Sequence, residues 1–270
     1  MINIDNIKKL RDKTLCGFKD CKEALEEACG DLEEAVQILK KRGLKVANKR
    51  SANETKEGIV IASVSKDRKY SAVVSLLCET DFVAKNDEFK SCADNIIKLA
   101  VDNKIKNLDE LNDFSYSPEC TISGKITELI GQCGENIKLN FECFLGKNLY
   151  CYNHHTRRVS SVVDLDADGD LSDFGKEISM HIVASSPISI DRDSIDNDIL
   201  EKERSVAAEL SSSEVNDNIR VRRIEGRINK FFKENVLLEQ EWIYDNKKTV
   251  GQILKENNVQ KVNFFKIVKL

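Results

Sequence analysis

Thr80-Asp81-Phe82-Val83-Ala84-Lys85-Asn86 follows a strongly apolar run at 72–78 and precedes a helical pattern that opens near Asp87. The heptapeptide is therefore a strand-to-helix junction that carries an acid and a large aromatic side by side. Taken alone, such a junction has an ordinary structural reading: Asp81 caps the helix and Phe82 joins the core.

The pattern around the junction is regular. Residues 59–64 and 70–78 are β-rich runs around a polar turn at 65–68, which predicts a hairpin. Phe89, Cys92, Ala93, Ile96, Ile97 and Ala100 then recur at helical spacing and give a helix with one apolar face. Ile122, Ile126, Leu129 and Ile130 predict a second helix, and a strand at 137–145 follows Gly134-Glu135-Asn136. The order is strand, strand, helix, helix, strand. It recurs as strands at 148–152 and 158–165, a helix marked by Leu171, Phe174, Ile178 and Ile182, a helix at 250–256 and a closing strand at 262–268. The repetition lies in the order of elements, not in the residues. The second unit carries an insertion. Ile199, Val206 and Leu210 lie on one helical seam, Val221, Ile224, Ile228 and Phe231 on another, with Ser211-Ser212-Ser213 between them. This predicts a helical hairpin projecting from the body.

Residues 1–50 read as helical. Ile4, Ile7 and Leu10 form one stripe, and Cys21, Ala24, Leu25 and Ala28 a second, closed by Gly30. Leu32, Ala35, Val36 and Leu39 form a third, opened by Asp31 with Glu34 three residues on and closed by Gly43. Three short helices predict a compact bundle. Lys40-Lys41-Arg42, Lys45 and Lys49-Arg50 read as a solvated helix end before a polar linker at 51–57. The expected class is α+β with antiparallel sheets. The expected units are a helical bundle with its linker at 1–54, a first strand-and-helix subdomain at 55–146, and a second at 147–270 with the hairpin at about 194–234.

Composition sets outer limits. A chain of 270 residues can hold two or three compact units, and two prolines, Pro118 and Pro187, leave long helices possible. With 42 basic against 46 acidic residues the net charge is −4, so the basic footprint of bulk nucleic-acid binding is missing. No apolar run reaches the length of a membrane span and no signal peptide opens the chain. Nine cysteines, at 16, 21, 29, 78, 92, 120, 133, 143 and 151, form no C-x-x-C pair. They read as free thiols in a reducing cytosol, most of them small buried hydrophobes.

The motifs of nucleotide and metal chemistry fail one by one. The Gly-Lys pairs at 124, 146 and 175 lack both the earlier glycine and the following Ser or Thr of a phosphate loop, and no G-x-G-x-x-G occurs. Asp164-Leu165-Asp166-Ala167-Asp168-Gly169 matches the first half of a calcium loop, but its twelfth position is Gly175, so the segment reads as an acidic strand-to-helix turn. His154 and His155 would point to opposite faces of a strand and could not share a metal, and His181 stands alone in a helix pattern. No catalytic residue, cofactor site or metal site is expected.

A set of motifs in one order spans nearly the whole chain. Leu10-Arg11, Thr14, Asp20-Cys21-Lys22, Ala24-Leu25, Gly30-Asp31, Ala35 and Gly43 lie in the helical segment. Thr80 to Lys85 and Gly134-Glu135-Asn136-Ile137 follow, then Met180-His181, Ala184, Ser185 and Pro187. Glu225-Gly226-Arg227, Phe231 and Thr249-Val250-Gly251-Gln252 with Leu254 complete it. In these residues the sequence resembles bacterial elongation factor Ts, the guanine-nucleotide exchange factor for elongation factor Tu. Three features depart from the pattern. Cys16-Gly17-Phe18-Lys19 replaces a Gly-x-Gly-Met-Met-like turn, Cys133 stands where a larger apolar side chain is familiar, and the closing strand is expected almost at residue 270, so the extra C-terminal helical module of some relatives is not expected.

The resemblance implies a ubiquitin-associated-like N-terminal bundle and a cytoplasmic factor of protein synthesis. Such a factor binds elongation factor Tu in its GDP-bound and nucleotide-free states, with no direct nucleic-acid or membrane contact and no active site of its own. It implies that Thr80, Asp81, Phe82 and Val83 form the exchange element, with Phe82 as a wedge between partner helices. Cys133 and Gly134 would lie beside it, and His154 would face a second partner domain. A dimer or higher assembly through the complex stays open. So do two other classes: an interaction adaptor built on the bundle, and a metal-dependent enzyme built on the acidic turn.

Overall fold

The computed structural model of the chain describes residues 4–14, 16, 18–50, 52–169, 171–211 and 216–270. Gly17, Ser212 and Ser213, and the side chains of Lys40, Lys45 and Lys49, lie outside that description. Three helices come first: α1 (Ile4–Thr14), α2 (Phe18–Glu27) and α3 (Leu32–Arg50). Next are β1 (Glu57–Val64), β2 (Tyr70–Cys78), α4 (Asp81–Lys85), α5 (Asp87–Asp102), α6 (Leu108–Asp113), β3 (Ser115–Ser117), β4 (Cys120–Thr121), α7 (Ile122–Cys133) and β5 (Lys138–Leu145). The remainder is β6 (Leu149–Asn153), β7 (Val159–Ala167), α8 (Ser172–Ser185), α9 (Asn197–Leu210), α10 (Asp217–Asn235), β8 (Glu241–Trp242), β9 (Asp245–Thr249), α11 (Val250–Glu256) and β10 (Val259–Lys269). The protein is a mixed helix-and-sheet molecule with antiparallel sheets.

Two three-stranded sheets, ordered β1-β2-β5 and β10-β7-β6, stack on one another. Side chains alternate along each strand, so each strand serves two cores. Ile59, Ile61, Ala72, Val74 and Leu76 turn toward Phe89, Ile96 and Ala100 of α5 and Ile126 and Ile130 of α7. Val60, Ala62 and Val73 turn the other way and meet Leu149 and Val162 of the second sheet. The far face of that sheet presents Tyr150, Val163 and Leu165 to Phe174, Ile178 and Ile182 of α8 and to Val250 and Leu254 of α11. Burial on both faces is why β1 and β2 read as near-continuous apolar runs. Polar bonds fix the stack: Ala62 N–H donates to Asn153 Oδ1 (2.7 Å), Asn153 Nδ2 donates to the Ala62 carbonyl (2.9 Å), and Val60 N–H donates to the Arg157 carbonyl (2.8 Å).

Several sequence expectations need correction. Gly43 does not close the third helix, which runs on to Arg50. Gly43 is instead a packing glycine: it lies against α7, where an added Cβ would sit 3.3 Å from the Gly131 Cα. Where the helix ends, Arg50 and Asn53 both bond to Glu79. In the hairpin, Ile199, Val206 and Leu210 are exposed, and the seam of α9 is Leu200, Glu203 and Ala207, one residue later. Both registers repeat every seven residues, so periodicity could not choose between them. Ala207 is fully buried, and Glu203 pairs with Arg227 of α10 at 3.2 Å. Four cysteines, at 16, 21, 78 and 92, are buried, while Cys29 and Cys133 are exposed and the other three are half-buried. The small elements α6, β3, β4, β8 and β9 are too short to carry a periodic signal in the sequence. Among the described residues, no helix is long and apolar enough to cross a membrane.

Candidate functional site

The junction folds as a helix of five residues, α4, wedged between the end of β2 and the start of α5. Asn86 is the hinge. Its N–H donates to the Val83 carbonyl (3.0 Å), while its Oδ1 accepts from Glu88 N–H (2.8 Å) and Phe89 N–H (3.3 Å) and caps α5. Val83 and Ala84 are partly buried against the first core. The opposite side of α4 faces out, and Phe82 is 81% exposed. Phe82 therefore does not join the core.

Asp81 does not cap a helix either. The cap position is Thr80, and Asp81 accepts from Lys85 Nζ one turn on, at 2.6 Å. That ammonium is the main reason the Asp81 carboxyl lies below its ordinary range. The pair is exposed, and pairs of this kind contribute little to stability.

Thr80 makes no side-chain capping bond because its hydroxyl is committed elsewhere. Its Oγ1 donates to Glu135 Oε1 (2.6 Å) and its N–H donates to Glu135 Oε2 (3.0 Å). The relation is reciprocal one residue away, where Asn136 N–H donates to Glu79 Oε1 at 2.6 Å. That bond is the first cause of the lowered Glu79 pKa. Asn53 Nδ2 and Arg50 Nη1 also donate to Glu79, at 3.0 and 3.3 Å, and Asn136 Nδ2 donates to the Asn53 carbonyl at 2.8 Å. Two carboxylates thus lace the β2–α4 corner to the α7–β5 corner.

Gly134 makes the second corner possible. It ends α7 at φ +70, and its N–H donates to the Ile130 carbonyl (2.9 Å). This left-handed cap costs a glycine least. Cys133 precedes it and is exposed. Phe82, Val83, Phe89, Leu129, Cys133 and Ile137 are among the residues lining an open cleft of about 310 Å³ between α4 and α7. Cys78 lies beneath, donating to the Thr80 carbonyl, and burial pushes its thiol up to about 12, which leaves it inert.

His154 lies apart from this cleft. It falls just past the end of β6, so strand alternation does not apply to it, and the His154 and His155 rings lie only 4.2 Å apart between centroids. Its Nδ1 is 2.8 Å from Thr156 Oγ1. The same turn is tied to the first sheet and its helix by Arg157, which donates to Asp94 of α5 at 2.9 Å, and by Arg158, which pairs with Glu57 of β1. Among the described residues, no group of three or more His, Cys, Asp or Glu could hold a metal. The acidic stretch at 164–169 is not a turn at its start: Asp164 is buried within β7 and accepts from Lys147 N–H, Asn148 N–H and Asn263 Nδ2 at 2.9, 2.8 and 2.9 Å.

The structure therefore brings Thr80, Asp81, Phe82, Val83, Cys133 and Gly134 into one surface and leaves His154 on a neighbouring turn. Sequence reasoning does not single out Glu79, nor does it show the bonds that Glu135 and Asn136 make, although Gly134-Glu135-Asn136 stands out as a motif. Acids directly flanking two corner motifs were the only available signal.

A model of the family described as Elongation factor TS matches residues 79–270. The chain is similar to Elongation factor Ts of Amoebophilus asiaticus (strain 5a2), with 38% identity over 257 residues, covering 94% of this chain and 92% of the relative. It is similar to Elongation factor Ts of Clostridium acetobutylicum, with 36% identity over 266 residues and coverage of 96% and 87%. The corresponding figures for Elongation factor Ts of Clostridium botulinum (strain Eklund 17B / Type B) are 35% over 263 residues, with coverage of 95% and 87%. With the family model matched over most of its length and relatives aligned almost end to end, the chain belongs to the elongation factor Ts family.

Proposed function

We propose that this chain binds elongation factor Tu carrying GDP and promotes release of the nucleotide, so that GTP can enter. The observation that carries the reading is Phe82, a large aromatic 81% exposed on a short helix beside an open cleft of mixed lining. An unpartnered phenyl ring is costly to leave in water, and a Phe buries on the order of 150–250 Å² when it enters a partner. As a wedge, Phe82 shifts the partner elements that lead to its phosphate loop and magnesium. Asp81, with its carboxylate held ionised beside Lys85, supplies an acceptor for partner donors at the same edge.

Exchange of this kind needs no chemistry on the factor. It is negative coupling between two ligands of one protein: if the factor weakens GDP, GDP weakens the factor by the same ratio. What the factor needs is a surface that fits the nucleotide-free state better than the GDP-bound state. In this reading residues 1–54 form a ubiquitin-associated-like bundle, while 55–146 and 147–270 are two related subdomains that hold other faces of the partner. Cys133 and Gly134 line the wedge's flank, His154 meets a second partner domain, and the factor works in the cytoplasm.

The test is release of fluorescent GDP from purified elongation factor Tu on adding the chain. Acceleration that saturates with factor supports the reading. Tight binding with no acceleration would make the chain an adaptor instead.

A further inference from the structure

The two corners that frame the exchange element are joined by a crossed pair of carboxylates. Glu79 accepts the Asn136 N–H at 2.6 Å, and Glu135 accepts the Thr80 N–H at 3.0 Å and the Thr80 hydroxyl at 2.6 Å. Each acid stands next to the residue that the other acid holds. Each bond runs to a charged acceptor, the stronger class of hydrogen bond.

The element they hold has little order of its own. A helix of five residues is far below the length at which a helix persists unaided. Its cap residue offers no capping bond, and only Val83 and Ala84 anchor it by packing. Phe82 has no such anchor, with 81% of its surface exposed. Its direction is therefore set by where α4 starts and how α4 is tilted. Glu135 fixes the start, since it takes both donors of Thr80. Glu79 fixes the opposite corner, and through Arg50 and Asn53 it ties that corner to the end of α3.

Resting on the wedge reading of Phe82, we propose that Glu135 and Glu79 are positioning residues for exchange: the crossed carboxylates aim Phe82 at the partner without touching the partner themselves. The clasp holds the ring in the orientation it needs on arrival, so the ordering cost is met before binding. It also makes the end of α3 part of the exchange machinery, because the same Glu79 carboxylate holds both Asn136 and Arg50.

The experiment is a double-mutant cycle of Glu135→Ala with Phe82→Ala. It is read as the maximal rate of fluorescent GDP release from elongation factor Tu and as the factor concentration giving half that rate, with thermal melts alongside. Glu135→Ala alone is expected to lower the maximal rate about ten- to a hundredfold, the effect of losing bonds to a charged acceptor, with a smaller change in half-saturation. In the Phe82→Ala background the same substitution is expected to cost nothing further. Glu135→Gln, which keeps the shape and one acceptor, is expected to show a smaller loss with an unchanged melt; it carries the test if Glu135→Ala does not fold. An undiminished cost of Glu135→Ala in an impaired Phe82→Ala background overturns the clasp and leaves the wedge standing. So does a wild-type rate for Glu135→Gln and Glu79→Gln together. Full activity of Phe82→Ala alone overturns the wedge, and the clasp with it.

Discussion

Gly43 of α3 and Gly131 of α7 pass so closely that a Cβ on Gly131 would lie 2.8 Å from the Gly43 Cα. Nearby, Gln132 Nε2 donates to the Thr14 carbonyl at 2.5 Å. The N-terminal helices are therefore docked on the helix that ends at Gly134, not tethered beside it.

A side chain at the crossing should push the helices apart. Gly131→Ala is expected to cost about 1–3 kcal/mol, the usual penalty of overpacking, and to lower the melting temperature by several degrees. Deletion of residues 1–50 should likewise destabilise the remainder, because it uncovers α7 and removes Arg50 from Glu79. Two independent thermal transitions, with the second unmoved by the deletion, would show that the crossing contributes no stability.

Phe82→Ala should leave the melt within about 0.5 kcal/mol of the parent, since surface substitutions away from special features rarely do more. Exchange should fall severely. A large drop in melting temperature with activity retained would mean that the ring packs inward in solution.

His181 sets a pH limit on the second core. It is fully buried, stacked 5.2 Å from Trp242, with Nε2 at 3.0 Å from Gln240 Oε1. The Gln240 amide nitrogen is occupied by the Ser185 and Glu234 carbonyls, so the Gln240 oxygen faces the ring and Nε2 donates. Nδ1 is left bare and buried, without a hydrogen-bond partner among the described residues. Burial pulls the His181 pKa below its ordinary 6.5. The unfolded chain then binds the proton more readily than the folded one, so stability is intact above about pH 6.5 and declines as pH falls below it. Urea melts at pH 7.5 and 5.5 should show the loss, and His181→Phe should flatten it. An unchanged slope in the variant would assign the acid loss to other groups.

How much of this was legible depends on where each residue's partner lies. The spacing from Phe89 to Ala100 and the strands at 59–64 and 70–78 show themselves within one element, and the structure has them there. Thr80, Phe82 and Gly134 were singled out by motif and do share a surface. Gly43 was misread as a stop because its meaning lies in Gly131, far along the chain. The hairpin seam was misread by one residue because Ile199 and Leu200 both repeat at seven. Asp81 looked like a cap because a helix-start acid and an acid paired with a lysine four residues on are the same letters. The clasp was invisible for the first of these reasons: each half of it joins residues more than fifty positions apart.

Asp81→Ala should slow displacement of GDP more than it weakens binding to nucleotide-free elongation factor Tu. The Asp81–Lys85 pair is exposed on both sides, so its loss should hardly move the melt, and whatever changes is functional. Most affinity for the empty partner should come from broad surfaces on the bundle and around both sheets, which the substitution leaves in place. The edge of α4 is the part that meets an element differing between the two nucleotide states, and only differential contact can shift that equilibrium. Loss of one charge-assisted hydrogen bond is worth about 1.5–3 kcal/mol, roughly a ten- to hundredfold effect on the displacement rate. Stopped-flow release of fluorescent GDP, set beside affinity measured without nucleotide, separates the two quantities. Equal losses in both would make Asp81 an ordinary binding contact. No loss in either would leave it only the lysine pair, and residue 81 would drop out of the exchange element.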